Sequence, residues 1–337
     1  MKITILGAGS WGVAIAKLLA GNQHEVTMWS IDPQEIAMLT EYCEHKQKLP
    51  GVILPGSVHF TCEIETALTG VEMVIMAVPS PFVRSTAAKA APYISDGTII
   101  VNVAKGLEDD TLKRLSVILK EEIPNARIAV LSGPSHAEEV GRCIPTTVVT
   151  GADDIQVAKT VQDVFMNDFF RVYTSPDVVG IELGGALKNV IALAAGIADG
   201  LGCGDNTKAA LITRGIVEIT SLGVKMGGHP STFSGLSGIG DLIVTCASKH
   251  SRNRRAGFLI GQGMSADDAM NEVKMVVEGI YSAKAALSLA KKYDVVMPII
   301  EVVNQVLFEK LPAADALKQL LTRDKKREVS SLTWDVE

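Results

Sequence analysis

The chain has 337 residues, 47% of them hydrophobic and 21% charged, and its formal net charge at pH 7 is −6. The length predicts about two domains at roughly 150 residues each, and the composition excludes an intrinsically disordered chain. Because the net charge is negative, the chain has no broad basic field that would bind nucleic acid. The sequence has no uninterrupted run of about 18 apolar residues, so we expect no membrane span and a cytoplasmic protein.

Segments typical of strands and of helices alternate through the first half of the chain. Residues 11–22 have helical spacing. Short apolar runs typical of buried strands lie at residues 2–6, 25–30, 71–79, 97–106, 127–135 and 145–152. This alternation predicts an α/β fold in which a doubly wound, mostly parallel sheet carries helices on both faces, as in a Rossmann domain.

The pattern changes after residues 170–180. From Val179 onward strand signals are few, and segments such as 208–227 and 281–293 have helical period. We place a boundary in the turn-prone sequence "TSPD". The sequence therefore predicts a dinucleotide-binding Rossmann domain over residues 1–178 and an all-helical domain, supplying substrate and catalytic residues, over 179–337.

The cysteines argue against both a disulfide framework and a metal site. They lie at positions 43, 62, 143, 203 and 246, their number is odd, and no two form a CxxC pair. We therefore expect buried free thiols, as in a reducing cytosol, and no metal.

A GxGxxG motif follows the first predicted strand. Gly7, Gly9 and Gly12 precede a predicted helix, and a second strand comes next, which is the context of a dinucleotide-binding turn. Gly7 would allow the tight turn, Gly9 would let the backbone approach a pyrophosphate, and Gly12 would let the helix pack on the strand. The alternative is a glycine-rich turn in some other α/β protein.

The end of the second strand bears on the choice between NAD and NADP. The sequence there reads Ser30-Ile31-Asp32-Pro33, and no Lys or Arg follows until Lys46. An acid at this place accepts a hydrogen bond from the ribose 2′-hydroxyl of NAD, whereas a basic residue favours the 2′-phosphate of NADP. Asp32 therefore favours NAD. The alternative is that Asp32 only caps a helix that begins at Pro33.

Polar residues also follow other predicted strands and turns. Lys105 and then Gly133 and Ser135 come directly after strands, where ligands of open α/β sheets bind. Asp241 follows a glycine-rich turn, and residues 249–255 gather lysine and arginine side chains that could hold a phosphate. Each feature alone is more typical of a helix cap or a solvated basic loop than of a binding site.

A lysine lies within an apolar segment, "GIELGGALKNVIALAAG", at residues 180–196. Burial of the Lys188 ammonium would cost free energy and would lower its pKa. The alternative is a side chain whose stem packs in the core while its ammonium reaches water.

The chain resembles the bacterial NAD(P)-dependent glycerol-3-phosphate dehydrogenases over nearly its whole length. The motifs that carry the resemblance are "GAGSWG", "AVPS", "AKGLE", "LSGPSHAEEV", "ELGGALKNVIALAAGIADGLG", "NTKAALITRG", "FSGLSGIGDLIVTC", "SRNRRAG" and "VVEG". The resemblance implies a Rossmann domain followed by a helical domain. It also implies reversible reduction of dihydroxyacetone phosphate to sn-glycerol 3-phosphate with NADH or NADPH, which supplies the glycerophospholipid backbone, and a homodimer.

The resemblance also implies roles for individual residues. Lys188 would be the catalytic proton acceptor, Lys105 would touch both substrate and cofactor, and Asp241 would pair with or orient an ammonium. The implied substrate contacts are Lys105, Gly133, Ser135, Lys188, Asp241, Ser251, Arg252 and Asn253. The glycine motif and Asp32 are cofactor candidates on their own pattern; the resemblance adds the cofactor contacts Ser10, Trp11, Lys105, Ala137, Arg252, Val276 and Glu278.

One departure from the resemblance concerns cofactor choice. Members of this family often carry a basic residue just after the second strand, where this chain has Ile31 and Asp32. We therefore expect NADH to be used at least as well as NADPH. Two alternatives remain open for the function: another Rossmann-plus-helical dehydrogenase of the β-hydroxyacid type, or a protein that senses NAD without catalysis.

Overall fold

Eight strands form a single sheet in the order β3-β2-β1-β4-β5-β6-β7-β8. The structure is a computed structural model that describes residues 1–325, 327 and 328. The strands are β1 (Lys2–Leu6), β2 (Glu25–Trp29), β3 (His59–Thr61), β4 (Met73–Met76), β5 (Ile99–Asn102), β6 (Arg127–Ser132), β7 (Thr146–Ala152) and β8 (Phe170–Ser175). Every neighbouring pair is parallel except β6 and β7. The predicted doubly wound, mostly parallel sheet is confirmed.

Helices cover both faces of this sheet. They are α1 (Ser10–Gly21), α2 (Pro33–Tyr42), α3 (Ile64–Leu68), α4 (Val83–Ala90), α5 (Leu115–Glu122), α6 (Ala137–Val140) and α7 (Ile155–Phe165), with 3-10 turns at Ser80–Phe82 and Ala91–Tyr93. Side chains alternate between two cores: Ile3 and Ile5 pack with α1 and α7, whereas Leu6 packs with α4 and α5. Strands buried on both faces explain why the first half reads as short, continuous apolar runs.

The rest of the described chain is helical. The helices are α8 (Val178–Gly200), α9 (Asp205–Lys225), α10 (Pro230–Phe233), a π-helical turn (Leu236–Gly240), α11 (Asp241–Ala247), α12 (Arg252–Gly261), α13 (Ala266–Val273), α14 (Glu278–Lys292), α15 (Pro298–Phe308) and α16 (Ala313–Leu321). The predicted helical second half is confirmed for the described residues. The exact division at residue 178 stays a prediction, and positions 326 and 329–337 of the proposed helical domain lie outside the described residues.

Helix α8 is the central element of this half. It is long and apolar enough to cross a membrane, but 89% of its most apolar window is buried inside the protein. It packs against α9, α11, α12 and α14. Its hydrophobicity is therefore that of a core helix.

Glycines bring α8 and α12 into close contact. A Cβ at Gly196 would collide with the carbonyl oxygen of Arg254, and a Cβ at Gly257 would collide with that of Leu193. Only glycine allows two helix backbones to approach this closely. The approach places the first turn of α12 beside the middle of α8, where Lys188 lies.

The cysteine prediction was correct for the thiols and wrong for their burial. All five are free, but Cys246 is the one that is buried, and Cys143 is exposed. Cys43 and Cys143 follow helices at φ of +50° and +58°, in the left-handed conformation of a turn. These two residues lie in turns at the surface and stay in contact with water. The composition of the chain does not indicate which cysteines lie in such turns.

A buried carboxylate fixes α8 to the sheet half of the molecule. Glu182 accepts hydrogen bonds from Ser116 N at 2.8 Å and from Ser116 Oγ and Arg114 Nη1, both at 2.5 Å. These donors open α5, so the α8 side chain satisfies backbone and side-chain groups at the start of another helix. This anchor sets the orientation of α8 and therefore of Lys188.

We expect Glu182→Gln to lower the free energy of unfolding by about 2 kcal/mol, because one carboxylate oxygen with charge-assisted bonds is lost. Urea unfolding followed by circular dichroism measures the change. Glu301→Gln, at an exposed site of α15, is the control and should shift stability by less than about 0.5 kcal/mol. Equal unfolding midpoints for the two variants would contradict the anchoring role.

Candidate active site

The glycine turn after β1 has the shape that a dinucleotide requires. Gly7 has φ +120°, and a Cβ at Gly12 would collide with the Gly7 carbonyl oxygen. Gly9 is the N-cap of α1, no side chain caps this helix, and a Cβ at Gly9 would meet nothing within 4 Å. Free amide groups at a helix N-terminus, beside open space, fit a pyrophosphate. The turn lies between β1 and β4, where the strand order reverses and ligands bind.

Asp32 follows β2 and caps α2. Its Oδ1 accepts a hydrogen bond from Gln34 N at 2.9 Å, and Pro33 is the first helical residue. The capping role that the sequence left open is therefore present. Asp32 is exposed, so its carboxylate can cap α2 and still accept a hydrogen bond from a ribose hydroxyl.

The structure brings Lys105, Lys188 and Asp241 together at the junction of the two halves. Asp241 Oδ1 lies 2.5 Å from Lys188 Nζ, and Oδ2 lies 2.7 Å from Lys105 Nζ. The Lys188 and Asp241 side chains are 6% and 1% exposed. The ammonium of Lys188 does not reach water, so the alternative of a solvated lysine was wrong.

Burial shifts the titration of this cluster. Desolvation lowers the pKa of Lys188 to about 8, with Lys105 acting in the same direction and Asp241 opposing it. Burial alone would raise the pKa of Asp241, but Lys105 and Lys188 hold it below the ordinary value. Lys188 can therefore lose and regain a proton close to neutral pH, as a general base must.

A threonine that the sequence analysis missed completes the surroundings of Lys188. Thr245 Oγ1 accepts from Lys188 Nζ at 2.6 Å and donates to the Asp241 carbonyl oxygen at 2.6 Å. Thr245 lies one helical turn after Asp241 on α11, so both face the same side. The spacing Asp-x-x-x-Thr on a predicted helix was the signal that could have identified it.

The residues after β6 surround Lys105. Gly133 O accepts from Lys105 Nζ at 2.9 Å, and Ser135 Oγ lies 3.4 Å from the same nitrogen. Gly133 has φ +133°, and a Cβ at this position would lie only 3.0 Å from the Cα of Val148. Ala137, two residues after Ser135 in the sequence, is the first residue of α6. Gly133 and Ser135 therefore line one side of the lysine cluster.

The start of α12 forms the other side. Ser251 caps the helix by accepting from Arg254 N at 3.2 Å. Asn253 donates to Asn189 Oδ1 at 3.0 Å and accepts from Gly279 N at 2.8 Å. The Asn253 amide thus links α12 to α8 and α14, whereas Arg252 is exposed at the mouth of the site.

The remaining predicted cofactor residues lie at the start of α1 and at the start of α14. Ser10 and Trp11 open α1, and Val276 is half-buried in the segment before α14. Glu278, the first residue of α14, is bonded to the hydroxyl of Ser80 and accepts from Ser80 N at 3.2 Å. A contact therefore joins the helical half to the loop after β4. Asp32, at the end of β2, makes none of its hydrogen bonds with the lysine cluster.

An enzyme that moves a hydride to or from a nicotinamide needs a cofactor cradle and, close by, a group that exchanges the substrate proton. The glycine turn fits the first requirement, and the buried lysine with its lowered pKa fits the second. The chain is a Rossmann-type dehydrogenase.

Two family models match the chain almost from end to end. The NAD-dependent glycerol-3-phosphate dehydrogenase N-terminus matches residues 2–158, and the C-terminus matches residues 177–318. The chain belongs to the NAD-dependent glycerol-3-phosphate dehydrogenase family. The resemblance read from the motifs is confirmed, and neither the β-hydroxyacid dehydrogenase nor the NAD sensor is favoured.

Individual relatives agree with this assignment. Glycerol-3-phosphate dehydrogenase (NAD(P)+) of Agathobacter rectalis is 62% identical over 333 residues, covering 99% of both chains. The protein of that name from Fusobacterium nucleatum is 58% identical, covering 98% of this chain and 99% of its own. The crystal structure of glycerol-3-phosphate dehydrogenase from Coxiella burnetii superposes with a TM-score of 0.93 at 36% identity, covering 95% of this chain and 98% of that one.

Proposed function

We propose that this chain catalyses the reversible reduction of dihydroxyacetone phosphate to sn-glycerol 3-phosphate, with either NADH or NADPH, and so supplies the backbone of glycerophospholipids. The observation that carries the proposal is the buried pair of Lys188 and Asp241, bonded to Lys105 at the junction of the two halves, in a chain of this family. The class of reaction is oxidoreduction at a CH–OH group.

Lys188 is the proton acceptor in this proposal. During oxidation its neutral Nζ takes the proton of the C2 hydroxyl of glycerol 3-phosphate, and during reduction the ammonium returns a proton to the C2 oxygen. Asp241 orients the ammonium through the 2.5 Å contact, and Thr245 fixes it from a second side. Lys105 adds positive charge next to the carbonyl oxygen that becomes negative during reduction.

The cofactor lies across the crevice in this proposal. Free amides at Gly9 and Ser10 hold the pyrophosphate, while Lys105, Ala137, Val276 and Glu278 line the path toward the lysine cluster. The bound nicotinamide supplies or accepts the hydride. The residues of the chain set its distance from the substrate carbon.

The substrate phosphate binds at the start of α12 in this proposal. Arg252 is exposed at the mouth of the site, and its guanidinium matches phosphate oxygens. The N-terminal turn of α12 adds backbone amides for an anion. Gly133, Ser135, Ser251 and Asn253 complete the contacts.

The loss of absorbance at 340 nm with dihydroxyacetone phosphate, using NADH and NADPH in parallel, tests the activity. Oxidation of either cofactor supports the reaction. Folded protein that binds cofactor and oxidises neither would overturn the proposal, and a panel of β-hydroxyacid substrates would follow.

We expect NADH to be used at least as well as NADPH, because the Asp32 carboxylate repels a 2′-phosphate. Asp32→Asn keeps an N-cap oxygen but removes the charge, so the kcat/KM ratio of NADPH to NADH should rise by about tenfold. Asp163→Asn, at an exposed site of α7, is the control. If wild-type kcat/KM were more than about tenfold higher with NADPH, the role given to Asp32 would be rejected.

Three further features belong to the proposal. We assign the dinucleotide-binding domain to residues 1–178 and the helical substrate and catalytic domain to 179–337, in line with the end of β8 at Ser175 and the start of α8. A homodimer is consistent with the apolar side chains of Val217, Val224 and Ile243, which are exposed on α9 and α11. Free thiols at all five cysteines are consistent with a cytoplasmic location.

A further inference from the structure

A partly buried ionic cluster follows the end of β2, next to the place that the proposal gives to the adenosine ribose. Glu35, on the first turn of α2, accepts from Ser30 Oγ at 2.6 Å. Its other oxygen is paired with Lys48 and lies 3.4 Å from His45 Nε2. Ser30 Oγ also accepts from Asp32 N at 3.2 Å. Three successive contacts, through Glu35 and Ser30, therefore connect Lys48 to the residue that the sequence assigns to the ribose.

The loop that carries Lys48 is held in a defined position. Leu49, Val52 and Leu54 are buried and pack in the same core as β1 and α1. Leu49 N donates to His45 O at 2.9 Å, and Lys48 N donates to His45 Nδ1 at 3.2 Å. A residue 16 positions after Asp32 in the sequence is thus folded back onto Glu35, on the first turn of α2, which the linear motif could not reveal.

The Glu35 carboxylate of this cluster stays ionised near neutral pH. Burial alone would raise the pKa of Glu35, but hydrogen bonds from His45, Lys48 and Ser30 lower it to about 2. Glu35 therefore stays ionised and holds the ammonium of Lys48 near the ribose position when no phosphate is there. The Lys48 side chain is 35% exposed, so the ammonium can turn toward an anion bound in the crevice.

We infer that Lys48 determines whether the chain accepts NADPH. In this inference the ammonium exchanges the Glu35 carboxylate for the 2′-phosphate and offsets the repulsion from Asp32. Lysine binds phosphate as a point charge, and Glu35 keeps its bonds to Ser30 and His45 after the exchange. The chain would then use both cofactors although it lacks a basic residue directly after β2. This inference rests on the proposed function.

A probe that carries the 2′-phosphate without the nicotinamide tests the inference directly. Isothermal titration calorimetry would compare adenosine 2′,5′-bisphosphate with adenosine 5′-monophosphate, on the wild type and on Lys48→Met, which keeps an unbranched stem. We expect the variant to lose about tenfold in affinity for the bisphosphate and to bind the monophosphate as the wild type does. Equal losses for the two probes, or no loss for either, would overturn the inference.

Lys46 provides the matched control. It lies two residues away, but its ammonium stacks over the Tyr42 ring, 2.8 Å from the centroid. Lys46→Met should leave both affinities unchanged, and a loss specific to the bisphosphate in this variant would contradict the assignment to Lys48. The ratio of kcat/KM for NADPH and NADH, measured on one preparation of each variant, should fall only in Lys48→Met. Absence of turnover with NADH in the wild type would instead reject the proposed function, while calorimetry would still test Lys48.

Discussion

Replacing Lys188 with methionine is expected to lower kcat by roughly 10³-fold in both directions, the range of a lost general acid–base group. Methionine keeps an unbranched apolar stem among the buried side chains of α8 but cannot exchange a proton. Cofactor binding should persist, because Lys188 lies in the helical half and the glycine turn lies after β1. Steady-state rates at 340 nm and cofactor titration by calorimetry measure the two properties.

The pH dependence distinguishes a proton carrier from a structural lysine. The pKa of Lys188 is lowered to about 8 by burial, and the neutral amine is the base for oxidation. Oxidation of glycerol 3-phosphate should therefore speed up as pH rises through about 8, whereas reduction of dihydroxyacetone phosphate should slow over the same interval. The residual activity of Lys188→Met should lack both transitions.

Lys225, exposed at the end of α9, is the control position. Lys225→Met should keep the wild-type rate and pH profile. A Lys188→Met protein with wild-type kcat would exclude this lysine as the proton acceptor. A loss of cofactor affinity that equals the loss of rate would assign it a binding role instead.

The sequence predicted the parts of the fold that depend on local pattern. Alternating apolar runs predicted the sheet. The glycine motif predicted the turn after β1, because a backbone at φ +120° and a helix packed this closely on a strand both require glycine at fixed positions. The edge strand β3 was missed because three residues, one of them exposed and two half-buried, carry no readable period.

Contacts between segments that are far apart in the chain could not be predicted from the sequence. Asp241 lies 53 positions after Lys188 and 136 after Lys105, so no spacing rule indicates that its two oxygens are shared between them. The resemblance named these three residues, but their bonds, and the contact with Thr245, come from the packing of α8 against α11. The same holds for Lys48, which reaches Glu35 of α2 through the fold of its loop.

Asp241→Asn is expected to destabilise the protein by about 3–5 kcal/mol at pH 7, because removing one partner leaves buried charge uncompensated. Asparagine has nearly the same shape, so the loss reports charge. Since Lys105 and Lys188 lower the folded-state pKa of Asp241, its stabilising contribution is present above the ordinary carboxyl pKa and disappears as pH falls through the folded value. The difference from the wild type should therefore shrink in acid.

The same substitution should alter catalysis in a direction that stability alone does not predict. Asp241 opposes the loss of the Lys188 proton, so its neutralisation should lower the pKa of Lys188 further and move both pH–rate transitions to lower pH. Urea unfolding at pH 7 and the pH profile of oxidation measure the two effects, with the exposed Asp163→Asn as control. A destabilised variant whose transition stays at the wild-type pH would show that Asp241 holds the fold together without tuning the proton acceptor.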